Sequence, residues 1–269
     1  MKTLLLTLLL LSINSYSKEV NTVRIYKQWH LLAKNNTLDI EKSKALPQYK
    51  NQKFIYNSLN KLISKKTVKA VISEGCEGEI NKNFLSTYNG WNYKNLESEK
   101  DTKRFIDILT LVPLKLEVKY KENLLTICGD NLDLIEKNGL ASSDLNAFTG
   151  YYSRLKQFKN TDARKYKLYK DSLLEGLTEE VKNPVEYSRL KAKESLNSFK
   201  KYVQIRNDHF VKAIIENIDK NPAVIIGGVH LPDLKKKLTD KKVKFKVMEV
   251  EGYPENSDKI FDEIEKVLN

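Results

Sequence analysis

Short apolar runs and segments with helical periodicity follow one another along most of the chain. Four of the runs have the composition of buried strands: residues 23–29, 69–73, 124–128 and 223–229. Residues 244–250 alternate instead between polar and apolar positions, which is typical of a half-exposed edge strand. Because strands and helices take turns, the sequence predicts an α/β fold, a mostly parallel sheet with helices on both faces.

The longest stretch without a strand pattern is residues 131–220, which we expect to be mostly helical, with breaks at Gly176 and Pro184. We interpret it as a helical insertion between the third and fourth core strands. It would serve either as a cap over the edge of the sheet or as a plain structural bundle. Earlier in the chain a helical pattern begins near Phe105, and Pro113 is expected to close or kink it.

The N-terminus has the pattern of a secretory signal peptide. Lys2 precedes an apolar run over residues 4–13, and small residues follow. We therefore expect residues 1–17 to be a signal peptide, residues 18–269 to form a single domain, and the mature chain to be exported (periplasmic or secreted). The apolar run is too short for a permanent transmembrane helix, and nothing later in the sequence is apolar enough for one.

The chain is strongly basic, with a formal net charge of +12. Its lysines are scattered among many asparagines and acids, and the one dense run is Lys235-Lys236-Lys237. We interpret the charge as a solvated surface. No helix-turn-helix, RNA-binding or zinc-finger signature appears, so a nucleic-acid partner is not expected.

Cys76 and Cys128 are the only cysteines of the chain. Cys76 follows the second predicted strand, and Cys128 ends the third. In an oxidising compartment they can form a disulfide, whereas a redox-active CxxC pair is absent. The sequence leaves a bridge and two thiols equally open, because geometry decides between them.

Candidate chemistry concentrates where the predicted strands end. His30 and His230 close the first and fourth strands, Glu74 follows the second, and Asp130 follows the third. The carboxyl ends of parallel strands meet at one edge, where open α/β sheets bind ligands. Two imidazoles with one or two carboxylates suit Zn, Mn, Co or Fe(II). We therefore predict a divalent metal site formed by His30, Glu74 and His230, with Asp130 as a fourth ligand or general base.

Other catalytic patterns find little support. The sequence contains no GxSxG elbow, no P-loop and no GxGxxG fingerprint, so serine-based catalysis and nucleotide cofactors are not expected. Arg206 would either stabilise an oxyanion or form an ordinary salt bridge. His209, three residues later, is expected at the surface.

The residues around His230 carry a resemblance to a known family. A GxxH element formed by Gly227 and His230, followed by Leu-Pro, resembles the final motif of the TraB/Tiki/ChaN/erythromycin-esterase superfamily. His30 lies where that superfamily has its other GxxH-type histidine, with Lys27 in place of the glycine. Glu74 resembles its acidic residue after the second strand.

Arg206-Asn207 is similar to an arginine-containing element of TraB-like members, and the resemblance as a whole covers roughly residues 20–80 and 200–252. It implies a metal-dependent hydrolase acting on peptide or ester bonds at the strand ends. Gly227 and Gly228 would let the backbone approach a bound cofactor closely.

The superfamily also includes ChaN-like haem-binding proteins. The alternative hypothesis is therefore a haem- or ligand-binding protein without catalysis, in which a histidine is the axial ligand. A third hypothesis is a degenerate member that acts on a partner protein through its helical region.

Overall fold

The computed structural model describes residues 21–29, 46–80, 112–120, 123–175, 177 and 180–269, and the account below is confined to them. Within them, five strands form one sheet in which every pairing is parallel. The strands are β1 (Val23–Lys27), β2 (Ala70–Ser73), β3 (Leu125–Cys128), β4 (Ala223–Ile226) and β5 (Phe245–Met248). Their order across the sheet is β3-β2-β4-β1-β5, so β5 lies at an edge, as its alternating pattern predicts.

Helices cover both faces of this sheet, which confirms the predicted α/β architecture. The described helices are α1 (Pro47–Ser64), α2 (Val112–Tyr120), α3 (Leu132–Phe158), α4 (Ala163–Leu174), α5 (Pro184–Glu216), α6 (Leu231–Asp240) and α7 (Ile260–Leu268). On one face, Phe210 of α5 and Leu234 of α6 pack against the strands. On the other, Leu59 of α1 and Leu116 of α2 do so.

The central strands β2 and β4 are buried on both faces, which explains their uninterrupted apolar sequences. Successive residues point to opposite faces. Ile72 and Val224 belong to the core under α5 and α6, whereas Val71 and Ile225 belong to the core under α1 and α2. A polar substitution at any of these four positions would therefore enter one of the two cores.

The chain leaves neighbouring strands toward opposite faces of the sheet. After β1 it forms α1 on one face, and α2, which leads into β3, lies on that same face. After β4 it forms α6 on the other face, and β4 lies between β2 and β1. At such a switch point, open α/β sheets generally bind ligands beyond the carboxyl ends of the strands.

Three helices lie between β3 and β4. The side chains of Asn131, Asp162 and Asn183 each accept a backbone hydrogen bond and cap α3, α4 and α5. α3 packs along α5 through a small core that includes Leu145 and Leu196. Pro184 opens α5, as expected, and a further break at residues 159–162 separates α3 from α4. Whether this region acts as a cap stays a prediction.

α2 continues past Pro113 to Tyr120, so Pro113 does not close a helix. The residues before Val112, from which the helical pattern was predicted, lie outside the described residues, and the alternative that Pro113 kinks the helix stays a prediction. Gly176, Phe105 and the predicted signal peptide, residues 1–17, lie outside the described residues.

Two of the strands are shorter than the apolar runs that predicted them. β1 ends at Lys27, and β4 ends at Ile226 because residues 228–230 form a 3-10 turn. His230 therefore belongs to the turn that leads into α6. Across the described ranges, no helix combines the length and apolar character that crossing a bilayer requires.

Candidate functional site

The segments after β2, β3 and β4 meet at the carboxyl edge of the sheet. Glu74 directly follows β2, Asp130 follows β3, and His230 ends the turn after β4. Arg206 reaches the same place from α5. The parallel order of the strands therefore brings together four ionisable side chains that are far apart in sequence.

Arg206 connects the two carboxylates. Its Nε donates a hydrogen bond to Asp130 Oδ1 at 2.9 Å, and its Nη2 donates to Asp130 Oδ2 at 2.6 Å. The same Nη2 lies 3.2 Å from Glu74 Oε1. The backbone N–H groups of Gly75 and Asn131 also donate to Asp130. Asp130 is thus fully engaged with its protein neighbours.

The guanidinium of Arg206 stays charged although its side chain is only 5% exposed. Burial by itself would lower its pKa, but the hydrogen bonds that Arg206 donates to Asp130 and the charge of Glu74 outweigh that effect and raise the pKa above its usual value. A fixed positive charge therefore lies beside Glu74.

His230 is held in one orientation by Asn207. The amide nitrogen of Asn207 donates to the backbone carbonyl of His230 at 3.1 Å and to Asp233 Oδ2 at 2.9 Å. Its Oδ1 therefore faces His230 Nδ1, 2.7 Å away, and accepts a hydrogen bond from it. The ring also packs edge-on against Phe210. These contacts point Nε2 at Glu74 Oε1, at a distance of 3.2 Å.

The glycines after β4 allow two close approaches. The N–H of Gly227 donates to Glu74 Oε2, and a Cβ at Gly227 would lie only 3.2 Å from that oxygen. The N–H of Gly228 donates to the hydroxyl of Tyr253 at 2.6 Å. The ring of Tyr253 in turn packs edge-on against Trp29, at the end of β1. Both glycines therefore contact protein groups of the site.

Cys76 and Cys128 form a disulfide, which resolves the alternative that the sequence left open. The bridge joins the segment two residues after Glu74 to the strand end two residues before Asp130. Beside it, Glu77 accepts a hydrogen bond from the N–H of Leu132, in the first turn of α3. The loop that carries Glu74 is thus fastened to the segment that carries Asp130.

The structure brings together Glu74, Asp130, Arg206 and His230, four of the residues that the sequence singled out. His30 lies outside the described residues, one position after Trp29. His209 is exposed on α5, as expected.

Sequence reasoning missed the roles of Asn207 and Tyr253. Asn207 follows Arg206 directly, and a polar pair on an otherwise amphipathic helix was the one available signal. The sequence around Tyr253 contained no such signal, because its hydrogen-bond partner Gly228 belongs to a different loop.

The described residues alone do not complete a metal site. Among them, no group of three or more His, Cys, Asp or Glu side chains is arranged to hold an ion. Glu74 Oε1 and His230 Nε2 are one pair of donors at a suitable distance from each other. The third ligand predicted from the sequence is His30, and its contribution stays a prediction.

Comparisons with protein-family models, with curated proteins and with solved structures found no match to this chain. The resemblance to the TraB/Tiki/ChaN/erythromycin-esterase superfamily therefore stays a prediction that depends on the motif residues alone.

Proposed function

We propose that this chain is an exported, metal-dependent hydrolase of peptide or ester bonds, with its active site at the carboxyl edge of the sheet. The observation that carries the proposal is that His230 Nε2 lies close to Glu74 Oε1 while His230 Nδ1 is hydrogen-bonded to Asn207. Export follows from the N-terminal sequence pattern, and the bond type from the motif resemblance.

The orientation of His230 creates an electrostatic requirement. Because Nδ1 donates its hydrogen to Asn207, a neutral ring presents the lone pair of Nε2 to the carboxylate oxygen of Glu74. Arg206 contacts Glu74 from the side, but two electron-rich atoms at 3.2 Å still repel each other unless a positive species lies between them. A proton or a divalent cation satisfies this requirement.

The donor atoms fit a divalent cation. Ligands that are about 2.0–2.2 Å from one ion lie roughly 3.0–3.5 Å from each other, and the pair Glu74 and His230 has that spacing. The second ring nitrogen of a ligating histidine also characteristically donates a hydrogen bond to a carbonyl or carboxylate oxygen, as His230 Nδ1 does to Asn207 Oδ1. We expect Glu74, His230 and His30 to hold the ion, which would lower the pKa of a bound water and polarise a carbonyl.

The remaining residues orient this pair and set its charge. The positive charge of Arg206 lies next to Glu74 and therefore repels the ion. The same charge is placed to offset negative charge that develops on a substrate oxygen. Asp130 holds Arg206 in position, so we assign it a positioning role. The N–H of Gly227 fixes the second oxygen of Glu74.

Elemental analysis of the purified chain, prepared without chelators, tests the metal. We expect near-stoichiometric Zn, Mn, Co or Fe in the wild type and none in the double variant His30→Ala/His230→Ala. His209→Ala is the matched control, because His209 is exposed on α5, and it should keep the metal. Equal metal in the double variant, or none in the wild type after these ions are added, would contradict the metal site.

Asn207→Ala tests whether the orientation of His230 matters. Loss of such an outer partner typically weakens metal binding by about 10–100-fold. The affinity is measured by titrating Zn²⁺ against a chromophoric competitor, and circular dichroism confirms that the variant is folded. Unchanged affinity would mean that Asn207 serves the fold alone.

Hydrolysis is tested with a panel of chromogenic esters and quenched peptides. Glu74→Gln should remove the activity while the protein stays folded. If hemin added to the metal-free protein produced a Soret band that His30→Ala abolished, and no substrate were cleaved, the haem-binding alternative would replace the hydrolase.

A further inference from the structure

We propose that Gln28 and Gln48 form a subsite that binds the peptide group next to the bond held at Glu74 and His230. The substrate would then be a peptide, whereas the proposed function leaves peptides and simple esters open. The inference rests on that proposed function for the position of the cleaved bond. Peptide binding itself is measured separately from cleavage.

Gln28 and Gln48 have buried amide atoms that lack a hydrogen-bond partner. Across the ranges that the structure describes, five buried side-chain atoms form no hydrogen bond, and two of them are Gln28 Nε2 and Gln48 Oε1. The other three belong to β3 and α3: Thr126 Oγ1, Asn138 Oδ1 and Thr149 Oγ1. A buried polar atom without a partner destabilises a fold, so each such atom needs an explanation.

The side chain of Gln28 points at the beginning of α1. Gln28 lies one position beyond β1 and is only 5% exposed. It faces the same side of the sheet as Tyr26, whose hydroxyl contacts Ser58 of α1, because alternate residues of a strand share a face. The side chain of Asn51, in α1, bonds to the backbone on both sides of Gln28, at the preceding carbonyl and the following N–H.

Gln48 lies about one turn before Asn51 on the same face of α1. A free donor, Gln28 Nε2, and a free acceptor, Gln48 Oε1, therefore lie where the end of β1 meets the start of α1. Leu46, which precedes the helix, provides no side-chain cap for the first N–H groups, so an electron-rich atom is favoured there. A peptide group supplies both an acceptor and a donor, whereas an ester has no N–H.

The junction of β1 and α1 lies beside the candidate site. The pairing of β1 with β4 continues to Gln28, whose N–H donates to the carbonyl of Ile226, so Gln28 lies next to Gly227. Neighbouring strands are about 4.8 Å apart, and Gly227 donates to Glu74. Consecutive Cα atoms of a bound peptide are about 3.8 Å apart. A peptide group at this junction is therefore about one residue away from a bond at Glu74.

The test uses the blocked peptide acetyl-trialanine-amide and analogues in which an ester replaces each backbone amide in turn. Binding is measured from the emission of Trp29, which follows Gln28 directly. Trp91→Phe is the background for all variants, because it leaves Trp29 as the single tryptophan. Chromatography of the same samples shows whether the peptide is cleaved. Binding without cleavage would support the subsite and count against the hydrolase.

We expect one of the analogues to bind roughly tenfold more weakly than the amide, because it cannot donate a hydrogen bond to Gln48. Gln48→Leu should remove this difference, and Gln28→Leu should weaken binding of the amide itself. Gln157→Leu is the matched control at an exposed position of α3, and it should bind as the wild type does. Both subsite variants should resist urea at least as well as the wild type, since each loses a buried atom without a partner.

Three binding results would overturn the proposal: equal affinity for the amide and every analogue, the same difference in Gln48→Leu as in the wild type, or no change of emission up to millimolar peptide. A clear loss of stability in both subsite variants would also overturn it, because the fold itself would then satisfy the two amides.

Discussion

Arg206 lies between the buried carboxylate of Asp130 and the half-buried carboxylate of Glu74, and its guanidinium offsets one of their two negative charges. It contacts Asp130 through two nitrogen atoms and Glu74 through one. Buried ion pairs add little net stability when they are complete, but removal of one partner leaves an uncompensated charge in a medium of low dielectric constant. The stability of the carboxyl edge should therefore depend on this one side chain more than on any exposed ion pair.

Arg206→Met should destabilise the protein by about 3–5 kcal/mol, because Asp130 and Glu74 would stay buried without their cation. Urea denaturation measures the loss. Arg189→Met is the matched control, since Arg189 forms a partly exposed ion pair with Glu186, and its loss should destabilise the protein much less than Arg206→Met does.

The double variant Asp130→Asn/Arg206→Met should recover part of the loss, because it removes one of the two stranded charges. If the single and double variants were equally unstable, lost packing of the arginine stem would be the cause instead of electrostatics.

The residue types of the site could be predicted from the sequence, but their partners could not. Polar residues directly after apolar runs identified Glu74, Asp130 and His230. The orientation of His230 depends on Asn207, which is 23 positions away on another helix. Such a contact is fixed by how α5 packs on the sheet, and local patterning carries no information about it.

At the scale of elements, the disulfide joins the carboxyl ends of β2 and β3, which are neighbouring strands on one side of β4. It closes a loop between cysteines 52 positions apart. Closing a loop of that length restricts the unfolded chain and stabilises the fold by up to about 4 kcal/mol.

Cys76→Ala/Cys128→Ala should therefore lower the free energy of unfolding by roughly 2–4 kcal/mol, measured by urea denaturation. A reductant should bring the wild type to nearly the same value and leave the variant unchanged. If a reductant also lowered the free energy of unfolding of the variant, its effect would come from a group other than the disulfide.

The loop after β5 meets the turn after β4 through Tyr253 and Gly228. A Cβ at position 228 would collide with the tyrosine hydroxyl and lie 2.9 Å from Ser257 Oγ. Gly228→Ala should thus cost about 1–3 kcal/mol, because the loop has to move.

Tyr253→Phe removes both the hydroxyl and the obstacle, so the two substitutions should not be additive. We expect a coupling energy of at least about 1 kcal/mol in a double-mutant cycle of unfolding free energies. If the two losses of unfolding free energy were additive, the loop would move away from the new Cβ without strain.

Element types were more predictable than element ends. Apolar runs located four of the five described strands, because buried strands need uninterrupted apolar residues, and the alternating pattern of residues 244–250 located the edge strand β5. The apolar runs overestimated the lengths of β1 and β4, since an apolar residue such as the half-buried Val229 also occurs in a turn. Pro113 was expected to close or kink a helix, and α2 continues past it to Tyr120.

At the scale of the whole molecule, β4 lies between two strands whose following segments pack on the opposite face. No local feature of the sequence shows this, because strand order depends on which helices fit which face. The same order places acidic Glu74 and Asp130 at the carboxyl end of the sheet, and Lys69 and Lys244, which precede β2 and β5, at the opposite end.

Global stability should fall at alkaline pH in part through Tyr26, which is fully buried between β1 and α1. Burial raises the pKa of its phenol, against the smaller opposing effects of the Ser58 hydrogen bond and of Arg24. In the unfolded chain the pKa is about 10. Above that pH the unfolded state releases the proton and the folded state retains it, so each further rise in pH favours unfolding until the folded pKa is passed.

Tyr26→Phe separates this effect from the titration of the many lysines. Below about pH 10 the wild type should be more stable than the variant by roughly 1 kcal/mol, since Tyr26 and Ser58 share a hydrogen bond of 2.9 Å. Above pH 10 that advantage should shrink, as measured by urea denaturation at a series of pH values. Ser58→Ala removes the hydrogen bond but leaves the phenol, and should keep the alkaline decline. A constant difference between wild type and Tyr26→Phe across the series would show that Tyr26 does not ionise differently in the two states.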